Sequence, residues 1–556
     1  MKQATPIRGT NTALFPLIGL IFAAILVVFA GREFPSQDGP IHLYYAEVTR
    51  NLLLSTGLYQ DTFTIVHYLS PYILQTYLLG AFDCVFDPLV SEKLLVCCYA
   101  ISFVLGFRYL VRSMLPASEV SALFIAPLIF NYFVYAGNYN YVLGLSIVLW
   151  AAGFWIRYSS ALTRSRHFQC AAFIVLLALT HPLALLTFLL FAGLHLVLTA
   201  AAGMSHSSLY ETISKYRGAL IFLTVSSISL LWVARFMTAD NRSSAAGTLR
   251  SRLIEALMMW AISPVKTRPF RYFLAGAVSL ATIVAIWGWL RTRNGLRLAP
   301  AAMLFVEASV FCFIGLFSPA RVSGGTNLGS RFFLFGVLLL LASGAVAPVS
   351  QKLRRALAGV FCIGASLCFI KLYRLELRVN AELLPLLEAP PAAAHLRIAW
   401  VTGVNSDPDF THDPRYWAVC HYIRRSRAVF ANYGFLYLPY MNLGVRKTGR
   451  CQFLDPIALP DRPSMQSCLL QAAGQPDRPP IDVLVSASFD ALSLASTYGL
   501  QHEPYSAGGI DFYGHPPVRA YFGRLLCLQK ISDGRLEVNK RSTPVFILRI
   551  LSPAKC

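Results

Sequence analysis

The sequence has few charged residues for its length. Only 13% of its 556 residues are charged, whereas 56% are hydrophobic and the mean hydropathy is +0.55. A soluble protein of this size has no need of so much apolar surface, and the apolar stretches recur at lengths of roughly 17 to 25 residues, enough to cross a bilayer. The composition therefore excludes a soluble globular protein and predicts a polytopic membrane protein.

Acidic residues are especially scarce. The 27 Asp and Glu face 48 Lys and Arg, so that the formal net charge is +21. Such a basic chain raises the question of a nucleic-acid partner. The placement of the cations argues against one, because most of them lie in short loops between apolar runs. We expect membrane lipids, and no nucleic acid, as partners.

Common motifs for catalysis and metal binding are also missing. None of the 12 Cys has CxxC spacing, which argues against a zinc site. Seven Cys lie in or beside apolar segments and are interpreted as small core residues. The other five would allow one or two disulfides if the tail lies outside the cytoplasm: Cys420, Cys451, Cys468, Cys527 and Cys556.

The apolar runs predict eleven transmembrane helices. They cover approximately residues 14–30, 91–110, 120–136, 140–156, 169–181, 183–201, 218–235, 272–290, 299–317, 332–349 and 356–372. Lys2 and Arg8 precede the first helix and assign the N-terminus to the cytoplasm. A signal peptide cleaved after Ala30 is the alternative for this first helix, but cleavage would release the polar segment that follows it from its anchor.

Residues 31–90 form the first outer loop in this topology, with an amphipathic helix over 41–55. A second apolar run, 72–86, is assigned to the outer surface and not to a span. Counting it as a span would put five arginines outside, whereas the surface assignment puts all five inside: Arg108, Arg112, Arg157, Arg164 and Arg166. The inner loops then contain only two acids, Glu119 and Glu211.

The outer loop 235–271 departs from the charge rule, since it is rich in Lys and Arg. A loop of this length can be translocated regardless of charge, and its cations then have no function. The alternative is a basic patch for the phosphate or diphosphate of an anionic lipid head group.

The composition changes after Tyr373, where charge rises and long apolar runs stop. Short strand-like segments at 396–401, 482–486 and 545–550, with a helical stretch at 416–427, predict a small α/β domain. We therefore expect a transmembrane domain over 1–372 and a soluble extracytoplasmic α/β domain over 373–556. The tail has neither a glycine-rich phosphate loop nor a GxSxG motif, and no separate active site is expected in it.

The stretch FPSQDGPIHLYY, residues 34–45, follows the first apolar run directly. Asp38 and His42 are four residues apart, and Pro40 suits the first turn of a helix. One interpretation makes Asp38 a simple N-cap. The other makes it an acid held at the membrane face beside an imidazole, where it takes a proton or a metal ion.

More polar residues of unusual type map to the same outer face. Asn138 and Asn140 can merely cap helices, His181 can bond within a helix pair, and the arginines can extend to lipid head groups. The functional interpretation is that they line a cavity, because polar groups at this depth are costly. The residues assigned to substrate binding are Asn138, Asn140, His181, Arg321, Asn327 and Arg331.

The order of the short motifs resembles the GT-C superfamily of integral membrane glycosyltransferases, in the branch of the lipid A aminoarabinose transferase and the protein O-mannosyltransferases. The matching positions are Asp38-Gly39, Tyr45-Ala46, Gly57 with Asp61, Ser70-Pro71-Tyr72, the basic-ended span 91–112 and the break Thr180-His181-Pro182. The sequence also resembles uncharacterised bacterial membrane proteins that carry DGPxHLY, a YN turn and GGxxxxxR. The resemblance covers roughly residues 10–372.

Three positions depart from the family pattern. Gly39 stands where the family has Glu, the second acidic site falls on Asn138 and Asn140, and His181 replaces a Lys. A metal-dependent transferase would need a second carboxylate, so a divalent metal is in doubt and no cofactor is assigned.

The resemblance implies a bacterial inner-membrane transferase that moves a sugar from a polyprenyl-phosphate donor to a glycan, lipid or protein acceptor at the outer face. Asp38 would be the general base, and His42 would orient it or share its proton. Arg321 and Arg331 would hold the lipid phosphate. Two alternatives remain: a non-catalytic protein of this fold that binds a lipid-linked glycan, and a transporter, which would require an internal repeat.

Overall fold

The computed structural model describes most of the first 388 residues and separate segments after them. The described residues are 14–57, 59–60, 63–115, 119–204, 209–235, 253–254, 256, 259, 262–291, 300–318, 321–322, 325–388, 397–402, 409–411, 419–425, 427, 429–430, 443–445, 483–487, 501–502, 510–514, 527–530, 534–538, 541–545 and 548–551.

The described chain is mainly α-helical, as predicted. The helices are α1 (Leu14–Val28), α2 (Gly39–Leu53), α3 (Ile73–Phe82), α4 (Pro88–Met114), α5 (Tyr132–Tyr135), α6 (Tyr139–Tyr158), α7 (Arg164–Thr180), α8 (Pro182–Met204), α9 (Leu209–Ala234), α10 (Arg268–Arg291), α11 (Pro300–Phe317), α12 (Leu328–Val346), α13 (Gln351–Glu388) and α14 (Val419–Arg425). A 3-10 helix over Glu119–Leu128 precedes α5.

Eight of the described helices are long and apolar enough to cross a membrane: α4, α6 and α8 to α13. The chain is an integral membrane protein, and the predicted helix bundle is confirmed. The predicted spans 14–30 and 169–181 correspond to α1 and α7, which have 15 and 17 residues. Helix α3 has ten residues; at 1.5 Å per residue it reaches about 15 Å, half the hydrocarbon core. It is too short to be a span, and its assignment to the outer surface stays a prediction.

The structure differs from the prediction at residues 120–136, where no continuous α-helix forms. Pro127, which has no N–H group to donate, lies inside the 3-10 helix. Buried Asn131 then turns the backbone, because its Oδ1 accepts the Phe133 N–H at 3.0 Å and its Nδ2 donates to the Leu128 carbonyl at 3.2 Å. Side-chain bonds of this kind compete with the helical ladder, and the apolar run alone does not reveal them.

By its internal contacts the chain divides into two units. One comprises residues 1–30, 94–134 and 138–373, and the other 31–93, 135–137 and 374–556. In the first unit, α11 packs along α12, which also contacts α10. The approach is close at Gly336, where an added Cβ would lie 2.6 Å from Cys312 Sγ. The predicted boundary between residues 372 and 373 stays a prediction.

The second unit contains α2, α3, α14 and all the described strands except β2 and β3. The strands are β1 (Phe63–Ile65), β4 (Arg397–Thr402), β5 (Val429–Phe430), β6 (Leu443–Val445), β7 (Val483–Ala487), β8 (Gln501–His502), β9 (Ile510–Gly514), β10 (Cys527–Lys530), β11 (Gly534–Val538), β12 (Arg541–Val545) and β13 (Leu548–Leu551). The first unit has the short pair β2 (Arg321–Val322) and β3 (Gly325–Thr326).

Five of the strands form one sheet in the order β5-β4-β7-β9-β8. β4 runs parallel to β5 and β7, while β9 is antiparallel to β7 and β8. Two further pairs, β10 with β13 and β11 with β12, are antiparallel. Strand β1, which lies between α2 and α3, pairs with β6, so the segment 31–93 and the C-terminal region belong to one structural unit.

Candidate functional site

Asp38 is the residue immediately before α2. It occupies the N-cap position, with φ −98° and ψ −3°, but its side chain makes no capping hydrogen bond. The Gly39 N–H, at the first position of the helix, donates to Ser36 Oγ at 3.0 Å. The side chain of Asp38 is half-buried and accepts from Gln37 Nε2 at 3.2 Å. The carboxylate is therefore not committed to the helix terminus.

The segment before α2, residues 31–39, is termed the Asp38 loop. Ser36 Oγ donates to Glu92 Oε1 at 2.8 Å, and Lys93 Nζ donates to the Gly31 carbonyl. Glu92 is fully buried at the start of α4. Because Ser36 also accepts the Gly39 N–H, a chain of two hydrogen bonds links Glu92 to the first peptide of α2.

Backbone contacts with residues 135–137 fix the other side of the loop. The Gln37 N–H donates to the Tyr135 carbonyl at 2.8 Å and the Asp38 N–H to the Ala136 carbonyl at 3.3 Å. Gly137 has φ +77°, and an added Cβ there would lie 2.8 Å from the Asp38 nitrogen. Only glycine accommodates both this backbone conformation and this approach.

His42 lies one turn into α2, and its backbone N–H donates to the Asp38 carbonyl at 3.1 Å. Burial lowers the pKa of His42 to about 4, and a hydrogen bond with the backbone of Gly137 opposes part of that shift. The imidazole is therefore neutral at neutral pH. In this state it can accept or orient a proton, but it does not contribute a positive charge.

Two buried glutamates that the sequence interpretation did not single out also support the loop. The Glu33 carboxylate lies 2.8 Å from His421 Nε2 of α14. Its backbone N–H and carbonyl pair with the side chain of Asn380 at 2.7 and 2.9 Å. Glu376 accepts the Tyr135 hydroxyl at 2.7 Å. These partners are more than 200 positions apart in sequence, and local spacing gives no signal for them.

A second polar cluster lies in the other unit around Arg331. This arginine is 8% exposed and begins the buried face of α12. Its Nη1 lies 2.7 Å from His181 Nε2, and its Nη2 donates to Asn138 Oδ1 at 3.2 Å. The guanidinium carbon lies 5.1 and 5.7 Å from the ring centres of Tyr141 and Phe133, within cation–π range. The structure thus brings together three of the predicted substrate-binding residues.

The two ring nitrogens of His181 both face N–H donors. Nδ1 accepts the Leu183 N–H at 3.0 Å, and Nε2 faces Arg331. A neutral imidazole has a single acceptor nitrogen, so this cluster offers more donors than the ring can accept.

The other predicted substrate-binding residues of this unit have different surroundings. Asn140 is 8% exposed in α6, and its Oδ1 makes no hydrogen bond within the described part of the chain. Asn327 has φ +59° at the start of α12, and its Nδ2 donates to the Tyr132 hydroxyl at 3.4 Å. Arg321 lies in β2 opposite Thr326; its side chain lies outside the described part.

The loop 235–271 is described only in part, and Arg242, Arg250 and Arg252 lie outside the described residues. At its end, Arg271 Nη2 donates to the Lys266 carbonyl. Among all the described residues, no group of three His, Cys, Asp or Glu side chains is arranged to hold a metal ion. The tail cysteines proposed for disulfides lie outside the description except Cys420, whose side chain is a buried thiol, and Cys527, of which only the backbone in β10 is described.

The fold has a counterpart among solved structures. ArnT from Cupriavidus metallidurans, crystallised bound to undecaprenyl phosphate, superposes with a TM-score of 0.53 over 91% of this chain and 98% of ArnT. The two sequences are 12% identical, so the likeness concerns the fold. No family model and no curated protein matches the sequence. The chain has the GT-C-like fold that its motif order suggested.

Proposed function

We propose that this protein is a glycosyltransferase that moves a sugar from a polyprenyl-phosphate donor to an acceptor at the outer face of a bacterial inner membrane. The N-terminus would then be cytoplasmic and the C-terminal region periplasmic. The observation that carries the proposal is the buried Arg331 cluster in a chain with the fold of ArnT, a protein crystallised with undecaprenyl phosphate.

The proposed role of the Arg331 cluster is to bind the phosphate of the lipid donor. His181 and Asn138 hold the guanidinium through its two terminal nitrogens, and the rings of Tyr141 and Phe133 flank it. A fork held in this way is preorganised for phosphate oxygens. It would also stabilise the charge that develops on the leaving phosphate.

The remaining predicted residues receive supporting roles. Arg321 and the basic loop 235–271 would add positive charge for the same phosphate. Asn138, Asn140 and Asn327 would bind sugar hydroxyls, and the Asn140 Oδ1, which lacks a hydrogen bond within the described residues, has the capacity to accept one.

Asp38 is proposed as the general base that removes the proton of the acceptor hydroxyl. Its carboxylate does not cap α2, and the loop that carries it is fixed by bonds to Ser36, Tyr135 and Ala136. His42, which is neutral at neutral pH, would orient this carboxylate or share the proton.

The test is transfer of radiolabel from polyprenyl-phosphate sugars by the purified protein, with a membrane extract as the source of acceptor. Asp38→Asn keeps the size of the side chain and removes the basic oxygen, so we expect expression and donor binding without transfer. Full transfer by this variant would refute the assignment of Asp38.

A non-catalytic protein that binds or presents a lipid-linked glycan is the second candidate. It is favoured by Gly39, Asn138 and Asn140, which stand where the family pattern has acids. It predicts tight donor binding by the wild type and by Asp38→Asn alike, with no transfer by either. The same experiment therefore decides between the two functions.

A further inference from the structure

A groove lies between α2 and α3. Its volume is about 190 Å³, and it is lined by one face of each helix: Ala46, Thr49, Arg50, Leu53 and Leu54 of α2 and its end, and Thr76, Tyr77, Gly80, Ala81 and Cys84 of α3 and its end. Pockets for drug-sized ligands typically have roughly 300 to 1,000 Å³. The smaller space suits a single hydrocarbon chain.

The polar ends of two lining side chains are turned to other partners. The Tyr77 hydroxyl donates to the Tyr68 carbonyl at 2.7 Å, and Arg50 Nη1 donates to the Asp83 carbonyl at 2.7 Å. Gly80 contributes no side chain, and the nearest atoms to an added Cβ would be the Ala46 oxygen and Arg50 Cβ, at 3.6 and 3.8 Å. The interior of the groove is therefore mainly hydrocarbon.

The surroundings of the groove mouth are also apolar. Leu53 and Leu54 are 46% and 64% exposed, and Val85 and Phe86 just beyond α3 are 76% and 46% exposed. Such a patch is unfavourable in water. Only five residues separate Phe82 from Pro88, where the membrane-spanning α4 begins, so the patch is close in sequence to a membrane span.

Arg50 gives the groove a cationic end. Glu47 and Asp83, which interact with it electrostatically, are each 8% exposed, and burial raises the pKa of both carboxyls. Arg424 of α14 interacts with both acids as well and lowers their pKa. Arg50 is the cation among the residues that line the groove.

We propose that the α2–α3 groove binds one acyl chain of an anionic phospholipid, whose phosphate lies near Arg50. The lipid would anchor α2 and α3 in the membrane surface, as amphipathic helices are anchored by apolar burial together with attraction to anionic head groups. This site is separate from the proposed transfer reaction and does not depend on it.

The experiment uses the full chain in nanodiscs that contain phosphatidylglycerol with a photoactivatable diazirine in its acyl chain. After irradiation and digestion, we expect label on the peptides that contain residues 46–54 and 76–84. Gly80→Leu fills the groove and should reduce this labelling about tenfold, which corresponds to about 1.4 kcal/mol of binding free energy. Gly276→Leu is the control, because an added Cβ at Gly276 meets no heavy atom within 4 Å.

Equal labelling of these peptides in wild type and Gly80→Leu, or no label there in the wild type, would overturn the proposal. If Gly80→Leu does not give a monodisperse protein, Ala81→Phe fills the groove from an exposed position.

A phosphatidylcholine probe with the same acyl chain tests the role of the head group. Labelling by the anionic probe should exceed labelling by phosphatidylcholine in the wild type, and Arg50→Gln should remove the difference; equal labelling by both probes in the wild type would refute the role of Arg50.

Discussion

The backbone of Gly137 lies against that of Asp38, with no room between them for a methyl group: a Cβ at position 137 would be 2.8 Å from the Asp38 nitrogen and 2.9 Å from its Cβ. The residue that the transfer reaction is proposed to use is thus positioned by a turn about a hundred residues further along the chain.

Gly137→Ala should therefore displace the Asp38 loop. The substitution forces a side chain onto a backbone with φ +77°, which costs roughly 1 to 2 kcal/mol, and adds a steric clash. Gly57→Ala is the matched control, since Gly57 has φ +85° but an added Cβ meets nothing within 4 Å. We expect a lower melting temperature and less transfer for Gly137→Ala than for Gly57→Ala. Equal losses would mean that the contact with Asp38 is unimportant.

Arg331→Lys should weaken binding of the lipid donor although it keeps the charge. Lysine cannot reproduce the two directed contacts to His181 and Asn138. Loss of one hydrogen bond to a charged group is worth about 1.5 to 3 kcal/mol, or about 10- to 150-fold in Kd. Titration with polyprenyl phosphate measures this, with Arg355→Lys on an exposed face of α13 as the control. Unchanged affinity in Arg331→Lys would remove Arg331 from the site.

His42 should make the protein less stable in mild acid. Its pKa in the folded protein is about 4, whereas an unfolded chain binds the proton near the ordinary value of 6.5. Between these values the unfolded state binds more protons, so stability is fully present above about pH 6.5 and falls as the pH drops towards 4. The melting temperature should decline more between pH 7 and pH 5 in the wild type than in His42→Gln. Parallel curves would show that His42 is not held neutral.

The buried pair of His195 and Glu307 should be a strong local determinant of stability. His195 Nδ1 lies 2.8 Å from Glu307 Oε1, and the two residues are 4% and 0% exposed. Removal of one partner of a buried pair costs about 3 to 5 kcal/mol, while replacement of both by apolar groups is often neutral. His195→Leu should therefore destabilise the protein, and addition of Glu307→Leu should restore it. A denaturant series on the four proteins of this double-mutant cycle measures the coupling.

Periodicity and composition were sufficient to predict those segments whose structure depends on their own residues. The helix predicted over 41–55 is confirmed as α2, and the interruption at His181-Pro182 is confirmed between α7 and α8. Side-chain hydrogen bonds decided the rest. Asn131 interrupts the apolar run at 120–136 through local bonds to Phe133 and Leu128 and a distant one to Tyr99, none of which hydropathy reveals.

In the candidate site, the local sequence predicted some features, whereas contacts between residues distant in sequence determine others. The DGP sequence predicted a helix start with Asp38 beside it, and α2 begins at Gly39. Ser36, which receives the Gly39 N–H, donates in turn to buried Glu92, 56 residues further along the chain. Glu33, in contact with Asn380 and His421, has partners that no short-range pattern can suggest.

The support of the Asp38 loop also limits how this protein can be recombined. Glu376, Asn380 and His421, which hold Tyr135 and Glu33, all follow Tyr373 in the chain. A chimera that joins residues 1–373 to the tail of another protein would keep the bonds of the loop to Tyr135, Ala136 and Glu92, but it would lose the partners of Glu33 and of the Tyr135 hydroxyl. An exchange of the tail that preserves the Asp38 loop therefore has to retain Glu376, Asn380 and His421.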